Sequence, residues 1–508
     1  MERIVTGCTV GRGPLDAIRA AEQNSAGGCA AAAEVEFPSA AAVAPQKARN
    51  SNRLLRNGAK VRRTDNAGLP KDLFSRSPQE GAPILQRYLD GLPANERYDA
   101  LAPLVRKEWK WFCRAAPHLK FPEPKPLREG EPIRIGISIS KLKYGGAERV
   151  MQQLADHFAN KSNYRATIFL DAQWANSIDY PLDPSVKVVP VKKFLNWEEE
   201  MRKHPQDLII CPEHWLATNF QNAFLLKSLG IRVLLQERSS SDFFSPFGNL
   251  SEKFEHLTPL YSACDGMSCL SRSDLRKWQG QGTTNSIYLP NPPTFPVESV
   301  TPSPLDGKKI LWVGRWNQNQ KRPELALRAF AKVLKKIPDA RLVMLGENGG
   351  PCRSHFLKCK SLIEDLGIGH AVEIAGFQKN LVPYYSSGAL LLCTSRIEGF
   401  SMAVQEAKTF GLPVVSTAMP YLETLRHGCV QVPQGDADAL AAAAIDLLQD
   451  DGKRKQLGAE ARRDLLENFS ESAAYGKYEA LIGAILEGPD AVRELCARDA
   501  EEMDRSSA

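Results

Sequence analysis

From Ile133 to about Pro290, short apolar runs alternate with longer stretches in which apolar residues recur at helical spacing. IRIGISI, ATIFL, VKVVPV, DLIIC, IRVLLQ, GMSCL and SIYLP read as strands; ERVMQQLADHFA and the stretch from His214 to Leu229 read as helices. Strands apolar on both faces and separated by helices predict a parallel sheet covered on two sides. A Pro-rich break, VESVTPSPLDG, follows, and the alternation restarts: KKILWVG, PELALRAFAKVLKKI, ARLVMLG, SHFLKCKSLIEDLG, AVEIAGF, GALLLCTS, MAVQEAKTF, LPVVST and CVQV. Two doubly wound α/β units in one chain predict a cleft between them.

Outside these units the pattern changes. Residues 1–69 mix Ala, Gly, Ser and Arg without apolar periodicity and read as a disordered tail. Residues 70–130 carry helical segments, ILQRYLDGL and YDALAPLVRKEWKWFCRAA, before the Pro-rich linker FPEPKPLREGEP. Trp109, Trp111 and Phe112 stand there beside Arg106, Lys107 and Lys110, a grouping that suits either packing on a neighbouring domain or docking on a membrane surface. The expected domains are 131–300 and 301–470, with a crossover helix and a polar, frayed tail in 471–508. Helical patterns run over 437–449, 452–469 and 473–486, the last of which is expected to cross back to the first unit.

The 508 residues are too many for one ordinary core, which agrees with two domains. No run reaches the ~20 apolar residues of a membrane span, and Glu34, Glu36 and Pro38 interrupt the Ala-rich stretch that would have to serve as a secretory signal. The net charge is +6, of which the first 66 residues supply +4, ten basic less six acidic. The rest is nearly balanced, which speaks against a nucleic-acid binder. Lys47, Arg49, Arg53, Arg56, Lys60, Arg62 and Arg63 form a basic stretch without an acid, read as a solvated tail ahead of a contact with anionic lipid. Eleven cysteines, without a C-x-x-C pair, suggest a reducing cytosol. The near neighbours Cys264 with Cys269 and Cys352 with Cys359 are read as lacking a clustered histidine, so no metal site is expected.

Three segments carry chemistry. In Ser395-Arg396-Ile397-Glu398-Gly399-Phe400-Ser401-Met402-Ala403-Val404-Gln405-Glu406, two glutamates flank a turn from a buried strand into a helix, with Ser401 as the expected N-cap. The N–H groups of Phe400, Ser401 and Met402 would offer a positive helix terminus to a diphosphate. Glu406, about 7.5 Å along the helix axis, would reach a ribose while Glu398 holds a sugar. In Gly314-Arg315-Trp316-Asn317-Gln318-Asn319-Gln320-Lys321-Arg322, again between strand and helix, fixed cations would stabilise charge developing on a departing phosphate. One unit charge at 4 Å is worth roughly 4 kcal/mol at an effective dielectric of 20. Two such cations can replace a divalent metal, and no Asp-x-Asp pair stands in a comparable loop to hold one. In Tyr144-Gly145-Gly146-Ala147-Glu148-Arg149, paired glycines let main chain approach a phosphate or sugar closely.

Together these segments resemble the retaining glycosyltransferases of family 4, with the GT-B fold of two Rossmann-like domains, over about Ile133 to Leu486. Its glycine loop is similar to GGAERV, its G-R-x(n)-K loop to Gly314, Arg315 and Lys321, its E-x7-E signature to Glu398 and Glu406, and its pre-hinge motif to Leu289-Pro290-Asn291-Pro292. The resemblance implies that Arg315 and Lys321 bind the donor diphosphate, Glu398 the sugar hydroxyls and Glu406 the ribose. Gly145, Gly146, Gly314 and the main chain from Gly399 to Met402 would complete the donor site. It implies retention of anomeric configuration, a UDP- or GDP-linked donor as the only cofactor-like group, no metal, and a glycan or lipid-linked acceptor. Two departures stand out. The loop from Arg315 to Lys321 is one residue longer than is common, so that Arg322 could share the lysine's role. Gln236-Glu237-Arg238 replaces a frequent histidine and resembles a subgroup of lipopolysaccharide and capsule assembly; His214 is the nearest alternative. The competing readings are a GT-B nucleotide-sugar epimerase and a non-catalytic sugar-nucleotide-binding protein.

Overall fold

The computed structural model describes residues 68–505, except Tyr144, 192–195, 213–216, 243–249 and Gln318. The expected disordered tail with its basic stretch, and His214, therefore fall outside the described residues.

Two parallel sheets organise the chain. The first takes β1 (Ile133–Ile139), β2 (Tyr164–Asp171), β3 (Lys187–Val191), β4 (Leu208–Cys211), β5 (Arg232–Gln236), β6 (Gly266–Cys269) and β7 (Ser286–Tyr288) in the order β3-β2-β1-β4-β5-β6-β7. The second takes β8 (Lys309–Val313), β9 (Arg341–Leu345), β10 (Val372–Gly376), β11 (Leu390–Cys393), β12 (Val414–Thr417) and β13 (Cys429–Val432) in the order β10-β9-β8-β11-β12-β13. Every strand pairing is parallel. Central strands such as β4 and β11 are buried along their whole length, as their unbroken apolar runs require. The order reverses between β1 and β4 in one sheet and between β8 and β11 in the other, and open α/β sheets bind ligands outside the carboxyl ends of such strands. The architecture is the GT-B fold of two Rossmann-like domains.

The helical extension is part of the first core. The helix Pro78–Asp90 starts with a reciprocal Ser77 and Glu80 capping box. Trp109 stacks on Phe220 at 5.5 Å, and Phe112 meets Phe224 edge-on at 5.1 Å. Trp109, Trp111 and Phe112 are all buried, so they pack and are not available to a membrane. No helix among the described residues is long and apolar enough to cross a bilayer.

The helix Glu471–Glu487 returns to the first sheet, where Tyr478, Leu481, Ile482 and Ile485 join Ile135, Ile137 and Leu234 in one cluster. The frayed tail expected after Gly488 is corrected: Pro489–Arg505 is a helix. Val492 and Cys496, four residues apart, are buried in that same cluster, and Asp499 accepts the Tyr288 backbone N–H at 3.1 Å. A polar composition hid a narrow apolar stripe.

Trp111 is 3% exposed and its indole N–H donates to the Arg76 carbonyl at 3.1 Å. Trp111→Ala is expected to remove about 3–5 kcal/mol of stability. Urea unfolding followed by far-ultraviolet circular dichroism should show an earlier first transition; an unchanged midpoint would mean that the extension does not stabilise the domain it covers.

Candidate active site

The two loops on the strands flanking the second switch point meet. Lys321 Nζ, on the loop after β8, lies 2.5 Å from Glu398 Oε1, on the turn after β11. Ser395 Oγ donates to the same carboxylate oxygen at 2.6 Å. The Thr394 hydroxyl bonds the Lys321 carbonyl at 2.7 Å and accepts the Trp312 indole N–H at 3.0 Å, while Arg396 N donates to the Gln320 carbonyl at 2.7 Å. Gly314, without a side chain, leaves room for the Lys321 stem to lie across it. A recess of about 230 Å³, its open mouth included, is lined by Trp312, Lys321, Ser395, Glu398, Ser401 and Ala403 among others. Arg315 stands half-buried on the same loop.

Arg322 does not share the lysine's place. Its guanidinium donates to the carbonyls of Thr394 at 3.0 Å and Ser395 at 3.2 Å, fixing the end of β11 from behind, and burial holds its pKa below the ordinary value. It positions the turn that carries Glu398. Tyr421 grips that turn from the other side, its hydroxyl bonding both N and O of Glu398 at 3.0 and 3.2 Å.

The expectation for Ser401 needs correcting. It occupies the N-cap position of the helix Met402–Thr409, but its backbone is left-handed at φ 65°, and its buried hydroxyl makes no cap bond. A left-handed residue turns the side chain away from the N–H groups it would cap, and for a non-glycine it is strained. Among the described residues nothing accepts from the backbone N–H of Phe400, Ser401 or Met402. The Phe400 ring instead joins Leu270, Val297, Leu465 and Phe469 in a small cluster.

Glu406 sits in a cage that the sequence did not announce. Oε1 accepts from Thr294 Oγ1 at 2.9 Å and lies 3.5 Å from Arg149; Oε2 accepts from the Tyr385 hydroxyl at 2.9 Å. Burial, and then the Glu406 charge, push the Tyr385 hydroxyl well up, so it stays a donor. Burial works against the Arg149 charge, but Glu406 and Tyr180 together hold its pKa above the ordinary value. Arg149 stands three residues after Gly146 in the glycine segment; Thr294 and Tyr385 lie in stretches without a motif.

The first domain closes directly on this turn. A Cβ on Gly399 would lie 2.8 Å from Ser239 Cα and 2.9 Å from the Arg238 carbonyl, and one on Gly146 would lie 3.1 Å from Met402 Cγ. Asn291 accepts from Gln405 at 3.1 Å, Glu423 accepts the Arg272 N–H at 2.9 Å, and Gly145 exchanges bonds of 3.0 Å with the Tyr180 hydroxyl. In the segment that replaces the frequent histidine, Gln236 donates to Tyr478 at 3.2 Å, and Glu237 is buried 3.7 Å from Lys253. Arg238 points its guanidinium into the interior, where burial holds its pKa below the ordinary value and Tyr478 and Glu148 oppose the shift.

The reading of the cysteines is also corrected. His355 lies one helical turn before Cys359, with Nε2 3.6 Å from Sγ, and Glu324 completes a group of three. The i, i+4 spacing of His355 and Cys359 was the available signal.

Residues 297–464 match the family described as "Glycosyl transferases group 1". Among curated proteins, the chain is 29% identical over 169 residues to the N-acetyl-alpha-D-glucosaminyl L-malate synthase of Bacillus anthracis, which is 33% of this chain. It is 32% identical over 189 residues to the D-inositol 3-phosphate glycosyltransferase of Corynebacterium diphtheriae, 35% of this chain. In both cases the match spans 43% of the relative's length. Among solved structures, the sucrose-phosphate synthase of Thermosynechococcus elongatus superposes with a TM-score of 0.59 at 18% identity, covering 69% of this chain and 100% of that one. The Anabaena protein HepE, solved with UDP and glucose, superposes with a TM-score of 0.57 at 18% identity, covering 69% and 99%. These likenesses establish the GT-B fold.

Gly399 is not in the left-handed region, so alanine there meets only the first domain's backbone. Gly399→Ala is expected to hold the domains apart while leaving each folded. Small-angle scattering should show a larger radius of gyration with an unchanged circular dichroism spectrum; an unchanged radius would show that the contact does not set closure.

Proposed function

We propose that this chain is a retaining glycosyltransferase of hexosyltransferase type that uses a UDP- or GDP-linked sugar without a metal. The observation that carries the reading is the Lys321–Glu398 contact of 2.5 Å at the second switch point. It brings a cation and a carboxylate together at one recess, which Ser401 at the start of the helix Met402–Thr409 also lines. The group 1 glycosyl transferase match over 297–464 contains every one of these residues.

On this reading the diphosphate lies against Lys321, Arg315 and the N–H groups of Phe400 to Met402, and the charge developing on the departing oxygen meets fixed donors that need no reorganisation. Glu398 then accepts from the sugar hydroxyls, and Glu406 from the ribose. Gly145, Gly146 and Gly314 allow main chain close to phosphate and sugar. The departing phosphate takes the acceptor's proton on the face it leaves, so no acid–base carboxylate pair is required. The acceptor is a glycan or lipid-linked saccharide of a surface polysaccharide, met on the first domain from the cytoplasmic side, with any contact to an anionic membrane peripheral.

Turnover of a UDP- or GDP-sugar is expected to persist in chelator, and Glu398→Ala or Arg315→Ala to lower kcat/KM at least about tenfold with the fold intact. Mass spectrometry of donor and product, with envelope extract as acceptor, is the measurement. Unchanged turnover in both variants would remove the site assignment, and an isomerised free sugar would favour an epimerase.

A further inference from the structure

Glu324, His355 and Cys359 lie outside the recess of the candidate active site. Glu324 is the second residue of the helix Pro323–Lys336, which begins directly after the Lys321 loop. His355 and Cys359 stand one turn apart on the helix Arg353–Asp365, facing it. Their ligand atoms all lie within 4.8 Å of one another: His355 Nε2 is 2.9 Å from Glu324 Oε2 and 3.6 Å from Cys359 Sγ. None of the three lines the recess of the candidate active site.

We propose that these three side chains form a binding site for a borderline transition-metal ion, Zn²⁺ by preference, that ties the start of the helix after the cationic loop to its neighbour. The donor set decides the class of ion: thiolate, imidazole and carboxylate together suit zinc and exclude calcium and magnesium, which take oxygen alone. The geometry agrees. Zinc bonds of ~2.3 Å to sulfur and ~2.05 Å to nitrogen at a tetrahedral angle separate the two ligand atoms by about 3.6 Å. The Cys359 to His355 distance already has that value. The Glu324 to His355 distance is a hydrogen bond at present and would open by a few tenths of an ångström. Glu324 and His355 are partly exposed, at 24% and 13%, so an ion can enter from solvent and keep a water as its fourth ligand. Cys359 is fully buried, which shields a bound thiolate. Burial, and then the neighbouring Glu324 carboxylate, push its thiol up to about 12; a metal would replace the proton.

The site sits beside the cationic loop and not in its recess. Trp316 of that loop packs edge-on against Phe356, the residue after His355, at 5.1 Å. Linking Glu324 to His355 and Cys359 therefore braces both ends of the segment that carries Lys321.

The test uses the full chain, reduced and stripped of metal, titrated with Co²⁺ as a spectroscopic probe and then with Zn²⁺. One equivalent of Co²⁺ should bring thiolate charge-transfer absorption and tetrahedral visible bands. The charge-transfer absorption should vanish in Cys359→Ser, and affinity should fall at least about tenfold in His355→Gln. Zn²⁺ should displace Co²⁺ and raise Tm of the wild type only, whether or not the chain transfers sugar. If Cys359→Ser does not fold, His355→Gln and Glu324→Gln, at partly exposed positions, carry the same comparison. No stoichiometric uptake by the wild type, or uptake indifferent to these substitutions, overturns the site.

Discussion

The buried pair of Lys321 and Glu398 is the interaction on which the rest of the cleft depends. Glu398 is buried and Lys321 partly so, at 6% and 16%, and a charge taken out of water without a partner costs several kcal/mol. Each therefore requires the other, and the two loops that carry them must meet. Around them the backbone is fixed from three directions, by Thr394, Arg322 and Tyr421. On the proposed function, a diphosphate would offer Lys321 a second partner and free a Glu398 lone pair for sugar hydroxyls.

Closure of the two domains follows the same economy of charge. Arg149 comes from the first domain, Glu406 and Tyr385 from the second, and Thr294 from the segment between them. Glu406 is thereby satisfied on both oxygens although it is buried. Glycine contacts at Gly146 and Gly399 let the backbones approach closely enough for that network to form. Glu423, whose burial raises its pKa, caps the first domain's helix Arg272–Gly280 through the Arg272 N–H. Polar groups on each side complete the other's hydrogen bonds.

Much of the fold was legible because parallel sheets announce themselves. Unbroken apolar strands such as LIIC and LLLC alternate with helices at regular spacing, and no other architecture buries such strands on both faces. That both loops stand at the carboxyl ends of strands was legible as well, since each follows a strand and precedes a helix; the direct contact of Lys321 with Glu398 was not. Thr294, Tyr385 and Tyr421 were not legible, because they reach the cleft from loops or a single helical turn that carry no periodic signal. The helix Pro489–Arg505 was missed because its two buried apolar residues, Val492 and Cys496, are too few to mark an apolar face. The Ser401 cap failed for a different reason: side-chain propensity favours a cap, and tertiary closure imposed a left-handed backbone on it.

Ser401 has a counterpart. Arg322 also precedes a helix, and it too is left-handed, at φ 47°. Strain of this sort costs on the order of 1–3 kcal/mol at each position and persists only where the surroundings over-determine it. At Arg322 the surroundings are the carbonyls of Thr394 and Ser395, which the guanidinium reaches because the backbone turns it toward β11. At Ser401 they are the packed Phe400 ring and the Thr424 hydroxyl, which donates to the Phe400 carbonyl at 2.9 Å. Both distortions stand next to the same recess, which Lys321 and Ser401 line. The third left-handed non-glycine among the described residues, Leu305 at φ 55°, does not line the recess and has its carbonyl held by the buried Arg454 guanidinium, so in each of the three cases a buried hydrogen-bond network sustains the strained backbone.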